Sequence, residues 1–446
     1  MKKSSVVLVS LALLMTTIIS ACGGGGNNKP TNAPTEKPAE TQAPAATEAP
    51  KDPVSLRVFS TFGGTDAAKA AFEGLLADFQ AANTNIKIEN DVMSANDDGF
   101  RTKVNTDMTS GNEPDILFYF VGADAEGFTK AGKVVPLNEL LDADPAWKGG
   151  FSPAALESVR QPDGNIYAAP LTGFYEGLFA NKALFEKYNL ELPTDFDKFK
   201  TAVETFSKNG IIPLSGPFDQ SHYLIEHFVL AAAGPEGQKK GILDGVDPNW
   251  EKGLAALKEV GDLGAFPKDA ATIDLSMAGN YYSEGLAAMI IEGSWAVGGW
   301  AQATKDSSTV LPFPAIPGGA GSGKDVVGGF GSGYYLSKKT YDDAAKKDAA
   351  VLFLKYLTSP EAIQKIAQAN GGTPAANVQI DGLLPVQQEG FAMVANAASI
   401  TTPIDSKVAP ETFTTIRAGI GPIVKGSKTP AAVLKEAQDI EIATKK

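Results

Sequence analysis

Two stretches of the chain have residue types and a spacing that could support chemistry. Gly318–Lys324 reads Gly-Gly-Ala-Gly-Ser-Gly-Lys, which fits most of a phosphate-binding P-loop. Asp325 stands where a serine or threonine should bind magnesium, and no helical pattern follows, so we interpret the segment as a mobile surface loop. His222 and His227 are five residues apart and would not share a helix face. We therefore expect no metal site and no cofactor.

The only cysteine, Cys22, ends a segment with a different chemistry. Two lysines precede an apolar stretch over residues 6–19, and Ile19-Ser20-Ala21-Cys22 follows. This order resembles the bacterial lipobox, in which the cysteine receives a diacylglyceryl group and becomes the new N-terminus. We predict a lipoprotein signal peptide over 1–21 and a membrane anchor, on the extracytoplasmic face, through acyl chains on Cys22. An ordinary signal peptide and an uncleaved anchor helix are the alternatives.

The composition limits the partners of the chain. It carries 39 basic and 52 acidic residues, a net charge of −13, which argues against nucleic acid and against an electrostatic hold on anionic lipid. With Cys22 acylated, no thiol remains for a disulfide, a zinc site or a nucleophile. Residues 22–53 contain many Pro, Thr and Ala residues and almost no large apolar ones. We predict that this stretch is a disordered tether.

From Val54 onward the hydrophobic pattern alternates between two periods. Short apolar runs typical of strands occur at Leu56–Phe59, Ile86–Ile88 and Ile116–Val121. Apolar residues at helical spacing lie between them, over Phe72–Phe79 and Phe100–Met108. Strand, helix, strand, helix, strand is the order of an open α/β sheet, so we predict an α/β fold.

The loops after these strands are the first candidates for a binding site. In open α/β sheets, ligands bind beyond the carboxyl ends of the strands. The loops 62–65, 94–98 and 122–124 occupy those positions. They indicate three candidate ligand contacts: Phe62, Asp98 and the strand-end residue Tyr119.

Several short stretches in the rest of the chain occur in a characteristic order. They are Gly164–Pro170, Asn181–Phe185, Leu192–Thr194, Gly285–Met289, Gly293–Trp295, Ala349–Ala362 and Gly371–Pro374. As an ordered set they resemble the extracytoplasmic solute-binding proteins of ABC importers, in the branch that mostly serves carbohydrates. The resemblance covers nearly all of the chain after the tether.

The resemblance implies a periplasmic-binding-protein-like fold of type II. Two α/β lobes would be joined by a hinge that the chain crosses three times, near Leu171, Trp295 and Tyr356. Lobe 1 would comprise 54–171 and 297–356, and lobe 2 would comprise 172–296 and 357–446. The periodicity agrees with α/β lobes but does not indicate the crossings.

The resemblance also implies a sugar-binding cleft, which needs flat aromatic faces for the rings and carboxylates or amides for the hydroxyls. The aromatic residue after the Gly-Ser pair faces the ligand in this family, which makes Trp295 the first candidate. Tyr175 and Glu176 follow the first crossing. Phe330 and Tyr223 occupy positions where relatives place ligand contacts. Each could instead be a packing or surface residue, and Trp250 and Trp300 are interpreted as structural.

The function implied is that of a lipid-anchored receptor. It would capture a sugar or oligosaccharide by hinge closure and deliver it to the permease of an ABC importer, as a monomer and without catalysis. One alternative is a lipid-anchored carbohydrate-active enzyme, since 52 acidic residues allow many carboxylate pairs. A binding protein for a non-sugar solute and an adhesive surface protein are the others.

Overall fold

The computed structural model describes residues 52–64, 66–95 and 99–445. The predicted signal peptide, Cys22, the tether as far as residue 51 and the candidate Asp98 lie outside the described residues.

Twelve strands are formed by the described residues. They are β1 Val54–Ser60, β2 Ile86–Val92, β3 Ile116–Phe120, β4 Ala168–Pro170, β5 Thr172–Asn181, β6 Ile212–Ser215, β7 Ala287–Gly293, β8 Ser308–Leu311, β9 Asp325–Gly329, β10 Ser332–Leu336, β11 Thr373–Pro374 and β12 Ser399–Thr401.

Eighteen α-helices accompany these strands in the described part of the chain. They are α1 Lys69–Ala82, α2 Phe100–Ser110, α3 Ala123–Lys130, α4 Asn138–Ala143, α5 Pro145–Gly150, α6 Pro153–Ser158, α7 Lys182–Lys187, α8 Phe196–Lys208, α9 His222–Lys239, α10 Pro248–Asp262, α11 Leu275–Ser283, α12 Gln302–Ser307, α13 Lys338–Asp342, α14 Lys347–Leu357, α15 Pro360–Asn370, α16 Pro385–Ala395, α17 Pro410–Val424 and α18 Pro430–Thr444. Short 3₁₀ helices occur at Ser294–Gly299 and Ile404–Ser406.

The first sheet has the order β2-β1-β3-β10-β4, and we call it and its helices the first lobe. Strands β1, β2 and β3 run parallel, and β10 runs antiparallel to β3 and β4. The first four residues of β3 are buried, as its apolar run on both faces predicts. The predicted succession of strands and helices over residues 54–121 is confirmed.

The second sheet is built around the long strand β5, and we call it and its helices the second lobe. Its order is β12-β9-β5-β7-β6, and β8 and β11 also pair with β5. Helices α8, α9, α10 and α17 supply most of the core on one face of this sheet. The amphipathic pattern of α8 accounts for its place there, because Phe199, Val203 and Phe206 lie on one face and are fully buried.

Strand pairing moves two of the expected crossings between the lobes. Leu171 lies between β4, a strand of the first sheet, and β5, a strand of the second, so the chain passes between the lobes at this residue. Both β8 and β9 pair with β5, so the next passage falls between β9 and β10, after Gly329 and not near Trp295. Helix α15 packs into the core of the first lobe through Ile363 and Ile366, and β11 after it pairs with β5, so the third passage follows α15 and does not lie near Tyr356. Buried strands of both lobes have the same apolar composition, so the sequence pattern does not distinguish them.

The glycine-rich segment at 318–324 is packed against α9 and is not a free surface loop. Gly234 adopts a φ of 66° inside α9, and Pro235 has no backbone N–H to donate to the preceding turn. The carbonyl oxygens of Ala231 and Ala232 instead accept hydrogen bonds from the backbone N–H groups of Ile316 at 3.0 Å and Ala320 at 2.6 Å. The loop therefore satisfies carbonyl groups that the helix kink leaves free.

Among the described residues, no helix combines the length and the apolar character that crossing a membrane requires.

Candidate functional site

Strand β5 begins at a passage between the lobes and carries two of the predicted site residues. Neighbouring side chains on a strand point to opposite faces, which separates Tyr175 from Glu176. The Tyr175 ring is fully buried 6.2 Å from the ring of Phe391 in α16. Glu176 faces α9 instead, with its Oε2 atom 3.8 Å from Nδ1 of His227. Only Glu176 therefore contributes to the site described below.

Three glutamates lie buried beside β5. Glu176, Glu226 of α9 and Glu292 of β7 have exposed fractions of 3%, 2% and 3%. The carboxyl groups of Glu176 and Glu226 hydrogen-bond to each other, which requires that one of them keeps its proton. Burial, followed by the charge of Glu226, raises the pKa of Glu176 well above its ordinary value. Burial raises the pKa of Glu226 to about 8.

Glu292 fixes the orientation of two aromatic side chains. It ends β7, where one carboxylate oxygen accepts a hydrogen bond of 2.8 Å from the backbone N–H of Gly293. The side chains of Tyr223 and Trp295 face the same carboxyl and favour its charged form. Burial raises the pKa of Glu292 to about 7, although these two side chains and the hydrogen bond from Gly293 oppose that shift. The acidic residue thus connects the buried strand to the aromatic part of the site.

Three rings form an aromatic wall, which we define as Phe174, Tyr223 and Trp295. The Trp295 ring is half-buried, 5.4 Å from Phe174 and 6.1 Å from Tyr223 between ring centroids. The indole folds back over Gly293 so closely that a Cβ atom there would overlap it. Only glycine at position 293 therefore permits this arrangement. The wall offers apolar faces directly beside the carboxyl group of Glu292.

An arginine connects the two lobes next to the three glutamates. Arg101 of α2 donates from Nε to Oδ1 of Asp124 at 3.0 Å and from Nη2 to Oδ2 of Asp405 at 3.0 Å. Asp124 belongs to α3 in the first lobe, and Asp405 lies in the 3₁₀ helix Ile404–Ser406 of the second. The guanidinium also stacks over the Phe120 ring at 4.8 Å. Burial raises the pKa of Asp405 to about 6, and Arg101 opposes that shift.

A family model for bacterial extracellular solute-binding proteins matches residues 63–364, about two thirds of the chain. The chain belongs to this family. The expected resemblance is therefore confirmed, and the family description gives an extracytoplasmic location.

Individual relatives of this solute-binding protein are distant. An uncharacterised ABC transporter extracellular-binding protein of Pyrococcus horikoshii is 28% identical over 275 residues, which is 58% of this chain and 61% of the relative. A maltotriose-binding protein of Pyrococcus abyssi is 26% identical over 274 residues, 60% of this chain and 56% of the relative. The matching part of the chain thus spans about three fifths of the length of these curated relatives.

Solved structures agree on the fold. A chitin oligosaccharide binding protein superposes with a TM-score of 0.78 and 25% identity, covering 87% of this chain and 98% of the other. The structural neighbours are type II periplasmic binding proteins, so the predicted fold class is confirmed.

The structure of this solute-binding protein brings together three of the predicted contacts, Glu176, Tyr223 and Trp295. Phe62 lies instead in the core of the first lobe, 4% exposed, 4.9 Å from the ring of Phe72 and 4.8 Å from that of Phe118. Tyr175 packs in the core against α16, as described above. Both residues are corrected to packing roles, because neither a place in a loop nor a place after a crossing determines where a side chain points.

Two further candidates lie near the site without joining the carboxyl cluster. Tyr119 is 1% exposed, its ring is 5.5 Å from that of Phe100, and its hydroxyl has no hydrogen-bond partner among the described residues. Asp124 and Asp405 act electrostatically on that hydroxyl, and burial raises its pKa. Phe330 is half-buried, and its ring lies over Gly173 at the start of β5.

Glu226, Glu292, Arg101 and Asp405 were missed from the sequence, although the two glutamates carried a signal. Tyr223, Glu226 and His227 are spaced three and four residues apart and so share one face of α9. Glu292 interrupts an otherwise apolar strand immediately before the Gly-Ser-Trp stretch. Arg101 and Asp405 gave none, because 304 residues separate them along the chain.

The two histidines differ in their surroundings. Burial lowers the pKa of His227 to about 4, so its ring is neutral at pH 7. Its Nδ1 atom hydrogen-bonds the carbonyl oxygen of Tyr223 at 3.0 Å, which leaves Nε2 as an acceptor without a partner in the described part of the chain. His222 contacts the Arg417 guanidinium at 3.2 Å. Within the described ranges, no group of three His, Cys, Asp or Glu side chains is arranged to hold a metal ion.

Proposed function

We propose that this chain is a lipid-anchored, monomeric receptor that captures a sugar or oligosaccharide and delivers it to the permease of an ABC importer. The observation that carries the proposal is the half-buried Trp295, held by Glu292 beside the buried carboxyls of Glu176 and Glu226. A sugar ring presents C–H groups to an aromatic face and hydroxyl groups at its edge. An aromatic wall next to buried hydrogen-bond acceptors matches both parts of that surface.

The relatives support a carbohydrate ligand. Among them are proteins named for binding maltotriose and for binding melibiose, raffinose and stachyose. These are neutral saccharides of two to four rings, and a cleft between two lobes can surround such a chain.

Hinge closure is the proposed mechanism. The ion pair between Arg101 and Asp405 joins the two lobes beside the glutamates, so closing the lobes brings a positive charge to a site of buried carboxyls. Closure would also remove water from the site, which strengthens each hydrogen bond to the saccharide. The closed surface would then be recognised by the permease.

A carbohydrate-active enzyme is the weaker alternative. Glycoside hydrolases place their two carboxyl groups about 5 Å or more apart, with the sugar between them. Glu176 and Glu226 hydrogen-bond directly to each other, a spacing too short for that arrangement. The family and its structural neighbours are binding proteins, which agrees with capture and release of an unchanged ligand.

A thermal-shift screen with saccharides, amino acids, peptides and polyamines tests the proposal, followed by calorimetry on each hit. We expect a saccharide to raise the melting temperature and Trp295→Ala to weaken its binding more than about tenfold while the protein still folds. The matched control is Trp147→Phe. Trp147 is a core residue of the first lobe that donates to Thr358 Oγ1 at 2.9 Å, and its change should lower stability but not affinity. Stabilisation by a non-sugar solute alone would contradict a carbohydrate ligand.

The membrane anchor is a separate part of the proposal. Two acyl chains hold a protein stably on a bilayer where a single chain does not. We therefore expect Cys22→Ser to move the protein from the membrane fraction to the soluble fraction of the host, measured by fractionation and immunoblotting. Trp295→Ala serves as the control, because it leaves the anchor intact. Unchanged membrane retention of Cys22→Ser would indicate an uncleaved helix.

A further inference from the structure

We propose that a narrow pocket beside the aromatic wall receives the hydroxymethyl arm of a hexose unit of the saccharide, with Ser221 and Glu292 as its hydrogen-bonding partners. This inference rests on the proposed function and narrows its ligand to saccharides that present a free exocyclic CH₂OH group. Two observations carry it: a pocket that shares residues with the site, and a buried serine hydroxyl in that pocket that has no partner.

The pocket lies between the N-terminal end of α9, helix α11 and strand β7. Tyr223 of the aromatic wall and Glu292 are among the residues that line it, so the pocket is continuous with the candidate site. Space of about 10 Å³ remains inside it for the centre of a water-sized group, which is enough for one small group and too little for a sugar ring. Apolar side chains form much of the remaining wall: Leu224, Leu275, Ala278, Ile290 and Ile291.

Ser221 supplies an unsatisfied polar group to this pocket. It is the N-cap residue of α9, a position where a serine hydroxyl normally accepts a hydrogen bond from a backbone N–H of the first turn. Ser221 makes no such bond. Its side chain is 1% exposed, and its Oγ atom has no hydrogen-bond partner among the described residues. Buried hydroxyl groups are normally paired, so this one can serve a group that enters the pocket.

Other polar side chains of the pocket are committed to its walls. Ser215 Oγ donates to a backbone carbonyl oxygen of α11 at 2.8 Å, and Gln220 Oε1 accepts from the backbone N–H of Leu275 at 2.8 Å. Glu292 differs, because only one of its carboxyl oxygens accepts the hydrogen bond from Gly293. A carboxylate offers about four acceptor positions on its two oxygens. Glu292 therefore keeps acceptor capacity for a hydroxyl group of the ligand.

A hydroxymethyl arm matches these apolar walls and two hydrogen-bonding groups. It extends two bonds beyond a hexopyranose ring, whereas the hydroxyl groups on the ring extend only one. Its CH₂ group suits the apolar side chains, and its hydroxyl group can donate to Glu292 and accept from Ser221. The ring itself would stay at the aromatic wall, where Trp295 offers a flat apolar face. Stacking of the ring and insertion of the arm are therefore compatible.

Calorimetry on the full chain with sugars that differ only at this arm tests the inference. The probes contain glucose, galactose or mannose units, as monosaccharides and as short α- or β-linked oligomers, each with its 6-deoxy form and with the pentose form that lacks the arm. We expect the hexose that binds to do so at least about tenfold more tightly than its 6-deoxy and pentose forms, because these leave Ser221 unpaired.

The other outcomes of this experiment separate the inference from the proposed function. Equal or tighter binding of the 6-deoxy and pentose forms overturns the inference, since the pocket would then hold no arm of the ligand, but it leaves the proposed function intact. If no saccharide binds, both are overturned.

Two serine variants identify the pocket as the cause. Ser221→Ala removes the hydroxyl group from the pocket, and we expect it to reduce the preference for the hexose over its 6-deoxy form by about fivefold. Ser337→Ala is the matched control. Ser337 follows β10 in the first lobe, and its hydroxyl is also buried without a partner in the described part of the chain, so its change should keep the preference. If Ser221→Ala melts at the wild-type temperature and retains the full preference, the pocket is not the hydroxymethyl site.

Discussion

At the scale of single residues, the site depends on carboxyl groups placed where water does not reach them. Burying a carboxyl group away from water is costly unless it is hydrogen-bonded. Glu176 and Glu226 reduce this cost by sharing a hydrogen bond, and Glu292 does so by accepting one from the backbone N–H of Gly293 beside the aromatic wall. Each arrangement keeps a strongly polar acceptor beside an apolar ring. A site in which the hydroxyl groups of a ligand replace water needs a polar acceptor and an apolar ring side by side.

The buried carboxyls should make the stability of the ligand-free protein depend on pH. The ordinary pKa of a glutamate is 4.5, and burial raises that of Glu226 to about 8. Because the folded state holds a proton that the unfolded chain has lost, this stabilising contribution is complete below about pH 4.5. It is lost as the pH rises through about 8.

We therefore expect Glu226→Gln to flatten this dependence. A group that titrates fully between its two pKa values changes the free energy of unfolding by about 1.4 kcal/mol per pH unit. Urea unfolding between pH 5 and pH 7.5 should show a smaller fall in stability for Glu226→Gln than for the wild type. Glu204→Gln, whose side chain is solvent-exposed, is the control and should follow the wild type. Parallel curves for wild type and Glu226→Gln would contradict a buried, protonated Glu226.

The sequence predicted part of this site for identifiable reasons. Trp295 and Tyr223 follow recognisable features, a Gly-Ser pair and a position known from relatives, and the structure brings both to the glutamates. Phe62 was nominated by its place in a loop and Tyr175 by its place after the first crossing, but both rings lie in the cores. The partner of Glu176 was missed, because a hydrogen bond between residues 50 positions apart leaves no local pattern.

At the scale of elements, helix α9 positions Tyr223 and Glu226, and its own position depends on close packing against α10. Gly253 of α10 faces the backbone of α9, where a Cβ atom would lie 2.5 Å from the carbonyl oxygen of Phe228. Backbone atoms do not move aside as a side chain would. The absence of a side chain at Gly253 thus sets the distance between the two helices.

We expect Gly253→Ala to displace α9 and to act on both stability and binding. Overpacking of this kind costs about 1–3 kcal/mol, and the displaced glutamate and tyrosine should weaken saccharide binding as well. Gly279→Ala in α11 is the matched control. No atom lies within 4 Å of a Cβ at that position, and replacing glycine in a helix should stabilise by about 0.5–1 kcal/mol. Thermal denaturation and calorimetry on both variants give the comparison. Equal stability of the two variants would refute the packing argument.

The sequence pattern predicted the individual strands and helices better than it predicted how distant strands pair and which loops pack against them. Periodicity predicted the alternating strands and helices of residues 54–121, because each element buries one stripe or both faces. It did not indicate that β8 and β9 join the sheet of β5, since that depends on pairing between distant segments. The kink of α9 was visible in the Gly234-Pro235 pair, but the loop that packs against it at 318–324 was not.

At the scale of the whole molecule, the ion pair of Arg101 and Asp405 joins the lobes, and both of its members act electrostatically on Glu226. If closure captures the ligand, loss of this ion pair destabilises the closed form only. We expect Arg101→Met to weaken saccharide binding about 3- to 30-fold by calorimetry. In a double-mutant cycle with Asp405→Asn, the double variant should recover part of the wild-type affinity.

A second pair between the lobes provides the control. Lys445 lies 3.9 Å from Glu126, and both side chains are about 40% exposed. Exposed pairs contribute little, so Lys445→Met should change the affinity less than about twofold. A larger effect of Lys445→Met than of Arg101→Met would contradict the role assigned to the buried pair.

Small-angle X-ray scattering of the full chain measures whether the two lobes close around a saccharide. We expect the radius of gyration to fall when the saccharide identified by the screen is added, and Trp295→Ala at the same concentration to show no fall. Identical dimensions of the wild-type protein with and without bound saccharide would mean that the lobes do not close on the ligand.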